Sequence, residues 1–426
     1  MEAVYELYLQ HPVITTDSRM CPPDSIFVAL KGDKFNGNAF ARKAIEGGCA
    51  YAIVDEPEYA DDPRMILVND CLKTLQELAR HHRSQFAGKV IGITGSNGKT
   101  TTKELLAAVL SEKYKTLFTT GNLNNHIGVP LTLLRLTKDD EFAVIEMGAN
   151  HPGEIKVLCD ICEPDYGLIT NVGKAHLEGF GSFEGVIKTK GELYDFIRKN
   201  NGKIFINHDN DYLQAISGGI DKIEYGREPG LFVSGKLKDD GMYLSFEWKT
   251  GNLENQSVQT RLVGEYNLEN ALAAIAVGTY FGVEAASVNK ALSEYVPRNN
   301  RSQWKKTEHN SLIIDAYNAN PSSMTASLTN FAKMKAAPKA VILGDMLELG
   351  EKSREEHQKI IDLLNGFRFE KVFLIGECFA STENAYQSFR TVSDFIGGIP
   401  KAGLQGFTIL IKGSRGLNLE QTIGYL

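Results

Sequence analysis

The sequence has little cysteine, no excess of positive charge and no long hydrophobic run. Its six cysteines, at positions 21, 49, 71, 159, 162 and 378, lack the spacing of a disulfide framework, which is typical of a reducing compartment. A net charge of -7 argues against a main role in nucleic-acid binding, because such proteins usually carry a basic field. The most apolar stretch, around Ala271 to Val283, is too short and too interrupted to span a bilayer.

Two further absences narrow the expected class of protein. The first residues are Met1-Glu2-Ala3-Val4-Tyr5-Glu6, and they lack the basic and then apolar layout of a secretory signal, so we expect a cytoplasmic protein. Separately, we expect a monomer. Cys159 and Cys162 form a C-x-x-C, but no second pair follows at zinc spacing. We therefore expect these two thiols to pack inward on a helix.

The length of 426 residues is too great for one ordinary core and predicts about three domains. We expect an α/β protein with a small N-terminal α/β domain (1–88), a central P-loop ATPase domain with a parallel sheet and an antiparallel appendage (89–297), and a Rossmann-like C-terminal α/β domain (298–426).

The local patterns behind this division are strands that alternate with helices. Lys89 to Thr94 reads as a strand that leads into a glycine-rich turn and then a helix from Thr100 to Lys113. Between about Leu231 and Val263 the pattern changes to short alternating segments, which predict antiparallel strands. Pro297 to Lys306 is polar and reads as a linker before further apolar strands.

The glycine-rich turn is Gly95-Ser96-Asn97-Gly98-Lys99-Thr100, between the predicted strand and the predicted helix. In that setting, backbone N–H groups and the helix N-terminus can bind phosphates, Lys99 can neutralise them and Thr100 can reach Mg²⁺. The strict Walker pattern would place its first glycine at position 93, which is Ile93. A purely structural glycine turn is the alternative.

With Thr94, this turn reads Thr-Gly-x-x-Gly-Lys-Thr, and it resembles the variant used by the Mur ligase and folylpolyglutamate synthase family. The rest of the chain resembles the same family nearly end to end. The resemblance implies an ATP-driven amide ligase with ATP and Mg²⁺ as its cofactors. By resemblance, the ATP-binding residues are Gly95, Ser96, Asn97, Gly98, Lys99, Thr100, Thr101, Asn267, Asn270, Arg301 and Asp315.

The resemblance also implies a catalytic and metal-binding set. By resemblance, Lys99, Glu146, His176 and Lys190 are catalytic, and Thr100, Glu146, His176 and Lys190 bind Mg²⁺, with Lys190 carbamylated by CO2. On the residues alone, Glu146 is also compatible with a solvated strand end, His176 with a hydrogen-bonded structural histidine and Lys190 with a solvated charge on an amphipathic helix.

Some positions depart from the family pattern or have a simpler reading. Tyr266 replaces a histidine that is common before Asn267, and Asn300 replaces the usual glycine before Arg301. Asn267 and Asn270 are also compatible with helix capping. In the first domain, Asn36-Gly37-Asn38 replaces the usual Asp-Gly-His.

Two segments imply the substrates. Thr15-Thr16-Asp17-Ser18-Arg19 resembles a uridine-nucleotide-binding signature, with a capped turn as the alternative. Asp315 to Met324 is close to the pattern of the family members that act on D-alanyl-D-alanine, and Gly344 to Gly350 and Lys412 to Gly416 support the same members. The substrate-binding residues implied are Thr16, Asp17, Ser18, Arg19, Asn125, Tyr317, Asn318 and Ser322.

The reaction implied by the resemblance forms an amide bond between UDP-muramoyl-tripeptide and D-alanyl-D-alanine through an acyl phosphate. Two alternatives lie within the ligase class: the ligase that adds the third peptide residue, and a folylpolyglutamate synthase. A P-loop ATPase or kinase, or a nucleotide-binding regulator without ligase activity, is the alternative from another class. The third residue of the tripeptide, diaminopimelate or lysine, is not determined by any motif.

Overall fold

The chain forms three α/β units in sequence, each built on its own mostly parallel sheet, in a computed structural model. It describes residues 1–238, 241–251, 253–298, 300–336, 338–398 and 403–426. In these ranges, no helix combines the length and the apolar character needed to cross a membrane. This architecture confirms the predicted fold class.

The first unit has a four-stranded parallel sheet of order β1-β2-β5-β6 and a separate two-stranded antiparallel pair, β3 and β4. Its helices are Glu2–Gln10 (α1), Ala41–Glu46 (α2) and Cys71–Ser84 (α3), and its strands are Ile14–Thr15 (β1), Ile26–Val28 (β2), Lys31–Gly32 (β3), Phe35–Asn36 (β4), Tyr51–Val54 (β5) and Met65–Leu67 (β6).

The second unit has a nine-stranded sheet of order β15-β14-β13-β12-β11-β10-β7-β9-β8. Its strands are Lys89–Thr94 (β7), Thr116–Phe118 (β8), Phe142–Glu146 (β9), Tyr166–Ile169 (β10), Lys203–Asn207 (β11), Asp221–Gly226 (β12), Val233–Leu237 (β13), Tyr243–Lys249 (β14) and Gln256–Val263 (β15). Its helices are Lys99–Ser111 (α4), Gly128–Leu133 (α5), Glu154–Cys162 (α6), Leu177–Phe180 (α7), Phe183–Lys199 (α8), Asp211–Ile216 (α9), Asn267–Tyr280 (α10) and Ala285–Glu294 (α11).

The order of the central strands determines where a ligand can bind. β7 lies between β10 and β9, and all three run parallel. The chain leaves β7, passes over β9 to β8, returns to β9 and then crosses to β10 on the other side of β7. Such a reversal of strand order opens a crevice at the carboxyl ends of the strands. The segments after β7, β9 and β10 therefore meet at one edge.

The predicted antiparallel appendage is present in the second unit. β13 pairs in parallel with β12, and β14 and β15 then continue the sheet in antiparallel pairs. Helix α10 packs against α4 and is buried along most of its length. This packing holds the start of α10 close to the glycine-rich turn.

The third unit has a six-stranded sheet of order β16-β17-β21-β18-β19-β20, parallel except for β16. Its strands are Gln303–Lys306 (β16), Ser311–Asp315 (β17), Lys339–Gly344 (β18), Lys371–Ile375 (β19), Gln387–Phe389 (β20) and Thr408–Lys412 (β21). Its helices are Pro321–Lys333 (α12), Ser353–Asn365 (α13), Glu377–Ala380 (α14) and Val392–Gly398 (α15). Short 3-10 helices elsewhere in the chain are Gly37–Phe40, Pro57–Tyr59, Gly350–Lys352, Arg415–Leu417 and Leu419–Tyr425.

The linker prediction for Pro297 to Lys306 is wrong in its second half. Gln303–Lys306 forms an edge strand that pairs antiparallel with Ser311–Asp315. Its polar residues read as a loop in the sequence, but polar side chains and lysines are common on edge strands, where one side is solvated. The third sheet therefore begins only two residues after Arg301.

The inward-packing prediction for the C-x-x-C pair is confirmed. Cys159 and Cys162 are fully buried on α6, and their Sγ atoms lie 3.9 and 3.8 Å from Met147 Sδ. Burial raises the pKa of the Cys162 thiol to about 12. These thiols are structural residues of the core.

The first and second units meet through α3. The Arg83 guanidinium is almost fully buried and donates to the carbonyl oxygens of Cys162 at 3.0 Å and Glu163 at 2.9 Å, and to Asp165 Oδ2 at 3.2 Å. Neighbouring Arg80 instead makes an exposed ion pair with Glu163. The interface therefore contains one buried and one exposed arginine on the same helix.

Replacing Arg83 by methionine should lower the free energy of unfolding by about 2 kcal/mol, because the buried Cys162 carbonyl and two half-buried acceptors lose this donor. The same change at Arg80 should cost less than about 1 kcal/mol, because its ion pair is solvated. Urea unfolding followed by tryptophan fluorescence and circular dichroism measures both variants. Equal effects of the two substitutions would contradict this assignment.

Candidate functional site

The glycine-rich turn connects the end of β7 to the start of α4, as its sequence predicts. β7 extends to Thr94, and Ile93 is fully buried in the sheet beside Leu168 and Glu146. This position inside the sheet explains why Ile93 stands where the strict Walker pattern has glycine. The turn itself begins at Gly95.

Two glycines of the turn have no room for a side chain. Gly95 and Gly98 have φ values of +143° and +77°, in the region that glycine favours. A Cβ atom on Gly95 would lie 2.0 Å from Thr170 Oγ1, and one on Gly98 would lie 2.4 Å from Asn270 Oδ1. The turn is thus held between the segment after β10 and the start of α10.

Some backbone N–H groups of the turn donate to other protein groups, and others are free to face the cavity. Ser96 N donates to Asn171 O at 2.9 Å and Asn97 N donates to Asn171 Oδ1 at 3.0 Å. The first N–H groups of α4, those of Lys99, Thr100 and Thr101, have no partner within the helix. Because the helix dipole adds positive potential there, this end of α4 is suited to bind phosphate.

The Lys99 ammonium lies over the turn and donates to the carbonyl oxygens of Gly95 at 2.7 Å and Ser96 at 3.2 Å. Desolvation is the main reason why its pKa is lowered to about 8; Glu146 opposes this shift, and nearby Arg301 makes a smaller contribution that lowers the pKa. A bound phosphate would restore the charged form. Lys99 is therefore placed as a cation for an anionic ligand.

Glu146 ends β9 and is 1% exposed, so the alternative of a solvated strand end is wrong. Its Oε1 accepts from Thr100 Oγ1 at 3.1 Å and from Asn124 Nδ2 at 2.8 Å. Its Oε2 is buried and has no hydrogen-bond partner among the described residues. A buried carboxylate oxygen without a donor beside a hydroxyl is a fitting ligand for a hard cation such as Mg²⁺.

Lys190 is 1% exposed on α8, so the alternative of a solvated lysine is also wrong. Its Nζ lies 3.3 Å from Ala149 O and 5.1 Å from the centre of the Phe180 ring. Desolvation, with a smaller effect from Lys99, holds the pKa of Lys190 well below its usual range. The structure therefore places the Lys190 amine behind the cavity wall at Ala149, where burial disfavours its charged form.

His176 lies in the same cavity but is directed to the third unit. It has a φ of +50°, and its Nδ1 contacts the carboxylate of Glu348. Its ring lies 6.2 Å from the ring of Phe180, which is also the ring beneath Lys190. No direct contact joins His176 to Glu146 in the described part of the chain. The metal-binding role of His176 therefore stays a prediction.

Asn267 and Asn270 form a buried amide chain at the start of α10. Asn267 Nδ2 donates to Val263 O at 2.9 Å, Asn270 Nδ2 donates to Asn267 Oδ1 at 2.9 Å, and Asn270 Oδ1 accepts from Thr102 Oγ1 at 3.0 Å. The helix-capping alternative is wrong, because Tyr266 is the N-cap and makes no side-chain capping bond. Both asparagines line the cavity.

Arg301 faces this cavity from the start of the third unit. Its Nε is buried without a hydrogen-bond partner among the described residues, and its guanidinium carbon lies 3.7 Å from the centre of the Tyr317 ring. Asn300 has a φ of +56°, in the left-handed region. Since asparagine is among the few residues other than glycine that adopt this region readily, it can replace the usual glycine there.

The carboxyl ends of β17 and β21 hold a buried ion pair. Asp315 and Lys412 are register partners, and Lys412 Nζ lies 2.6 Å from Asp315 Oδ2. The same carboxylate accepts from Ser327 Oγ at 3.0 Å. Tyr317 and Asn318 follow β17 and line the cavity beside this pair.

Hydrogen bonds connect the third unit directly to the central turn. Asn320 Nδ2 donates to Asn97 Oδ1 at 2.8 Å, and Lys174 N donates to Ser322 Oγ at 3.0 Å. These two units, together with Leu72 and Gln76 of the first unit, line an open cavity of about 1110 Å³. Its lining includes most of the predicted residues, namely Ser96, Asn97, Gly98, Lys99, Thr100, Thr101, Asn125, Glu146, His176, Asn267, Asn270, Arg301, Asp315, Tyr317, Asn318 and Ser322.

The predicted residues of the first unit are not part of that lining. Thr16, Asp17, Ser18 and Arg19 lie in the loop after β1. Arg19 N, Nε and Nη2 all donate to the Asp17 carboxylate, at 2.9, 2.9 and 2.7 Å, which holds the pKa of Asp17 at about 2. The capped turn of the simpler reading is present, and it leaves this loop exposed at the surface.

The departure at Asn36-Gly37-Asn38 is explained by contacts within the first unit. Asn38 is fully buried, accepts from Asp55 N at 2.9 Å and donates to Asp55 Oδ1 at 2.8 Å. It therefore ties the loop after β4 to the end of β5. In this chain, Asn38 has a structural role.

Several cavity residues were not predicted. Asn122, Asn124 and His126 lie in the segment after β8, and Asn171 follows β10. The run Asn122-Leu123-Asn124-Asn125 is rich in asparagine, but no spacing in it points to Glu146. The contact between Asn124 and Glu146 depends on β8 and β9 being neighbours in the sheet, which only the structure shows.

One group in the third unit has the composition of a metal site: Asp345, His357 and Cys378. Its ligand atoms already have partners within the protein. Asp345 accepts from the backbone N–H groups of Cys378 and Phe379, both at 2.9 Å. His357 Nε2 lies 3.0 Å from the Met346 N–H, and its Nδ1 lies 2.7 Å from Ser353 O. This group is a structural network.

Comparisons of sequence identify relatives for all three units. Residues 12–83 match the profile of the Mur ligase family catalytic domain, 93–278 that of the Mur ligase middle domain, and 300–415 that of the Mur ligase glutamate ligase domain. The chain is 35% identical to the UDP-N-acetylmuramoyl-tripeptide–D-alanyl-D-alanine ligase of Bacillus subtilis over 98% of its own length and 93% of that protein. The enzyme of the same name from Escherichia coli is also 35% identical, with 96% and 92% covered.

Solved structures agree with these sequence matches. A MurF structure from Acinetobacter baumannii is 32% identical and superposes with a TM-score of 0.87, covering 96% of this chain and 92% of that one. The MurF ligase of Thermotoga maritima in complex with ADP is 27% identical, with a TM-score of 0.85 and coverages of 98% and 97%.

Replacing Gly98 by alanine should weaken ADP binding at least tenfold, because the new Cβ would displace Asn270 from the turn. Gly153 is the matched control: it is also a helix N-cap with positive φ, but nothing lies within 4 Å of its Cβ position. Calorimetric titration with ADP and thermal unfolding measure both variants. Equal losses of ADP affinity would contradict the role of the contact with Asn270.

Proposed function

The chain belongs to the Mur ligase family, and we propose that it is the ATP-dependent ligase that joins D-alanyl-D-alanine to UDP-N-acetylmuramoyl-tripeptide in peptidoglycan synthesis. The observation that carries this proposal is the cavity, because its wall unites the phosphate-binding turn of the second unit with polar residues of the third. Such a cavity can hold a nucleotide and an acceptor together.

The chemistry requires both ligands in one place. A carboxylate resists attack by an amine at neutral pH. Transfer of the γ-phosphoryl group of ATP to the terminal carboxylate of the tripeptide gives an acyl phosphate and ADP. The neutral amine of the dipeptide then attacks the acyl carbon, the bond between that carbon and the phosphate oxygen breaks, and the amine nitrogen loses one proton, so that the products are the amide and hydrogen phosphate. Because an acyl phosphate hydrolyses in water, the reaction requires that water is excluded from the cavity once the substrates are bound.

The residues around the turn supply charge and orientation for the phosphoryl transfer. The N-terminus of α4 and the Lys99 ammonium face the phosphates, and Arg301 approaches from the third unit with an unused Nε donor. These groups stabilise negative charge that develops on the transferring phosphoryl group. Asn267 and Asn270 hold the nucleotide side of the cavity, and Asp315 fixes Lys412 at its far wall.

We also propose that Mg²⁺ binds at Glu146 and Thr100, with His176 and a modified Lys190 completing its ligands. The buried, unpartnered Oε2 of Glu146 and the oxygen-rich neighbourhood fit this ion. When bound, the ion supplies positive charge to the phosphate oxygens. Glu146 and Thr100 hold it next to the phosphate-binding turn.

Lys190 has the environment that carbamylation requires. The neutral form of an amine is the one that reacts with CO2, and burial keeps the pKa of Lys190 well below its usual range. The carbamate would convert a buried amine into an oxygen ligand beside the cavity wall at Ala149.

In this proposal the UDP-muramoyl-tripeptide and the incoming dipeptide are bound by different domains, and their reacting ends meet in the cavity. The domain 1–88 holds the uridine nucleotide through Thr16, Asp17, Ser18 and Arg19, the domain 89–297 binds ATP, and Asn125 contacts the tripeptide. The domain 298–426 holds D-alanyl-D-alanine near Tyr317, Asn318 and Ser322. We further propose that the enzyme is a cytoplasmic monomer.

Phosphate release should require ATP, UDP-muramoyl-tripeptide and D-alanyl-D-alanine together. The variant Lys99→Met should lose at least about a thousandfold of this activity, because it removes the phosphate-facing cation. Lys89→Met, at an exposed position of the preceding strand, is the matched control and should retain full activity. A coupled phosphate assay measures all three proteins.

Other outcomes of this assay identify the alternatives. Phosphate release from ATP alone would indicate an ATPase, and no release under any condition would indicate a regulator. Release with single amino acids but not with the dipeptide would indicate the ligase that adds the third residue. A folylpolyglutamate synthase would use glutamate and a folate.

Lys190→Ala should reduce turnover at least about a hundredfold, whereas Lys188→Ala should not, because Lys188 is exposed on the same helix. In the protein without substitutions, isotopically labelled bicarbonate should produce a carbamate signal in the NMR spectrum. This signal should be absent from the spectrum of Lys190→Ala. A signal that survives in that variant would place the modification on another lysine.

A further inference from the structure

Arg415 is a cation in the cavity wall that has no anionic partner within the part of the chain that the structure describes. It begins the 3-10 helix that follows β21, its side chain is exposed, and it lines the cavity. None of the ion pairs in the described ranges includes it. Its polar contact is with Tyr317, whose Oη lies 3.4 Å from Nη1, and its guanidinium carbon lies 5.3 Å from the centre of that ring.

Lys412, three residues before Arg415, is neutralised within the protein because it is buried against Asp315 at 2.6 Å. Arg415 and Arg301, by contrast, take part in no ion pair among the described residues. Arg415 therefore adds uncompensated positive charge on the side of the cavity that belongs to the third unit. A guanidinium presents two parallel N–H donors that match the geometry of a carboxylate.

The Tyr317 ring lies close to both Arg415 and Arg301, and Arg301 is on the phosphate side of the cavity. Arg301 lies 3.7 Å and Arg415 lies 5.3 Å from the centre of this ring, so their guanidinium carbons are separated by at most about 9 Å. An extended dipeptide spans about 7 Å from amine to carboxylate, at about 3.5 Å per residue. This length lies within that upper bound.

We propose that Arg415 binds the C-terminal carboxylate of the incoming dipeptide, with the Tyr317 ring beneath the dipeptide backbone. The amine then points toward Arg301, where the acyl phosphate forms in the proposed reaction, on which this inference rests. Arg415 is thus the residue that determines the preference for a dipeptide with a free carboxylate over one without it.

The test compares D-alanyl-D-alanine with its C-terminal amide, at saturating ATP and UDP-muramoyl-tripeptide. The unmodified protein should use the amide with a kcat/KM about 10- to 100-fold lower, as expected when a charged hydrogen-bonded pair is lost. Arg415→Gln should raise KM for the dipeptide acid by the same factor and use the acid and the amide equally. KM for ATP and for UDP-muramoyl-tripeptide should change less than about twofold.

Two further variants control for charge and for folding. Arg415→Lys keeps the positive charge but lacks the two parallel N–H donors of the guanidinium, so it should retain part of the preference for the acid. Arg390→Gln, an exposed arginine of the same unit outside the cavity, should behave like the unmodified protein. Thermal unfolding with and without ADP verifies that each variant is folded.

The inference is overturned if Arg415→Gln still prefers the acid by the original factor, or if KM for ATP rises instead of KM for the dipeptide. The proposed function fails in a different way, since the unmodified protein would then release no phosphate with either form of the dipeptide.

Discussion

Glu146 places a carboxylate in a position that is almost closed to solvent, and this constraint shapes the rest of the site. Thr100 and Asn124 both donate to Oε1, which leaves Oε2 without a donor among the described residues. An uncompensated buried charge is costly unless a cation or further donors accompany it. Glu146 has no ion-pair partner among the described residues, although Lys99 interacts with it electrostatically, so a bound cation would complete the electrostatics of the cavity.

The second and third units contribute to the cavity in the same way. Each presents the carboxyl ends of parallel strands to the shared cavity: β7, β9 and β10 from one sheet, β17 and β21 from the other. The hydrogen bonds of Asn97 with Asn320 and of Ser322 with Lys174 keep the two edges in contact. The chemistry can therefore draw on loops from two sheets while each sheet keeps its own core.

Much of the fold and of the central site follows from local sequence, because a strand, a glycine turn and a helix at residues 89 to 111 are determined by neighbours along the chain. The burial of Lys190 does not follow, since Lys188 and Lys190 look alike in sequence and only packing against Phe180 and Ala149 separates them. Asn124 was missed because its partner is brought close by strand order. The edge strand at Gln303–Lys306 was missed because polar edge strands and loops have the same composition.

The early start of the third sheet has a mechanical consequence. Arg301 is separated from β16 by one residue, Ser302, whose N–H lies 3.4 Å from Asp315 Oδ1, and its guanidinium rests on Tyr317. The arginine is thus built into the third unit, and the connection to the second unit lies before it. A rigid-body rotation of that unit would move Arg301, Tyr317 and Arg415 together. The dipeptide would then be positioned in the same movement that brings Arg301 to the phosphate.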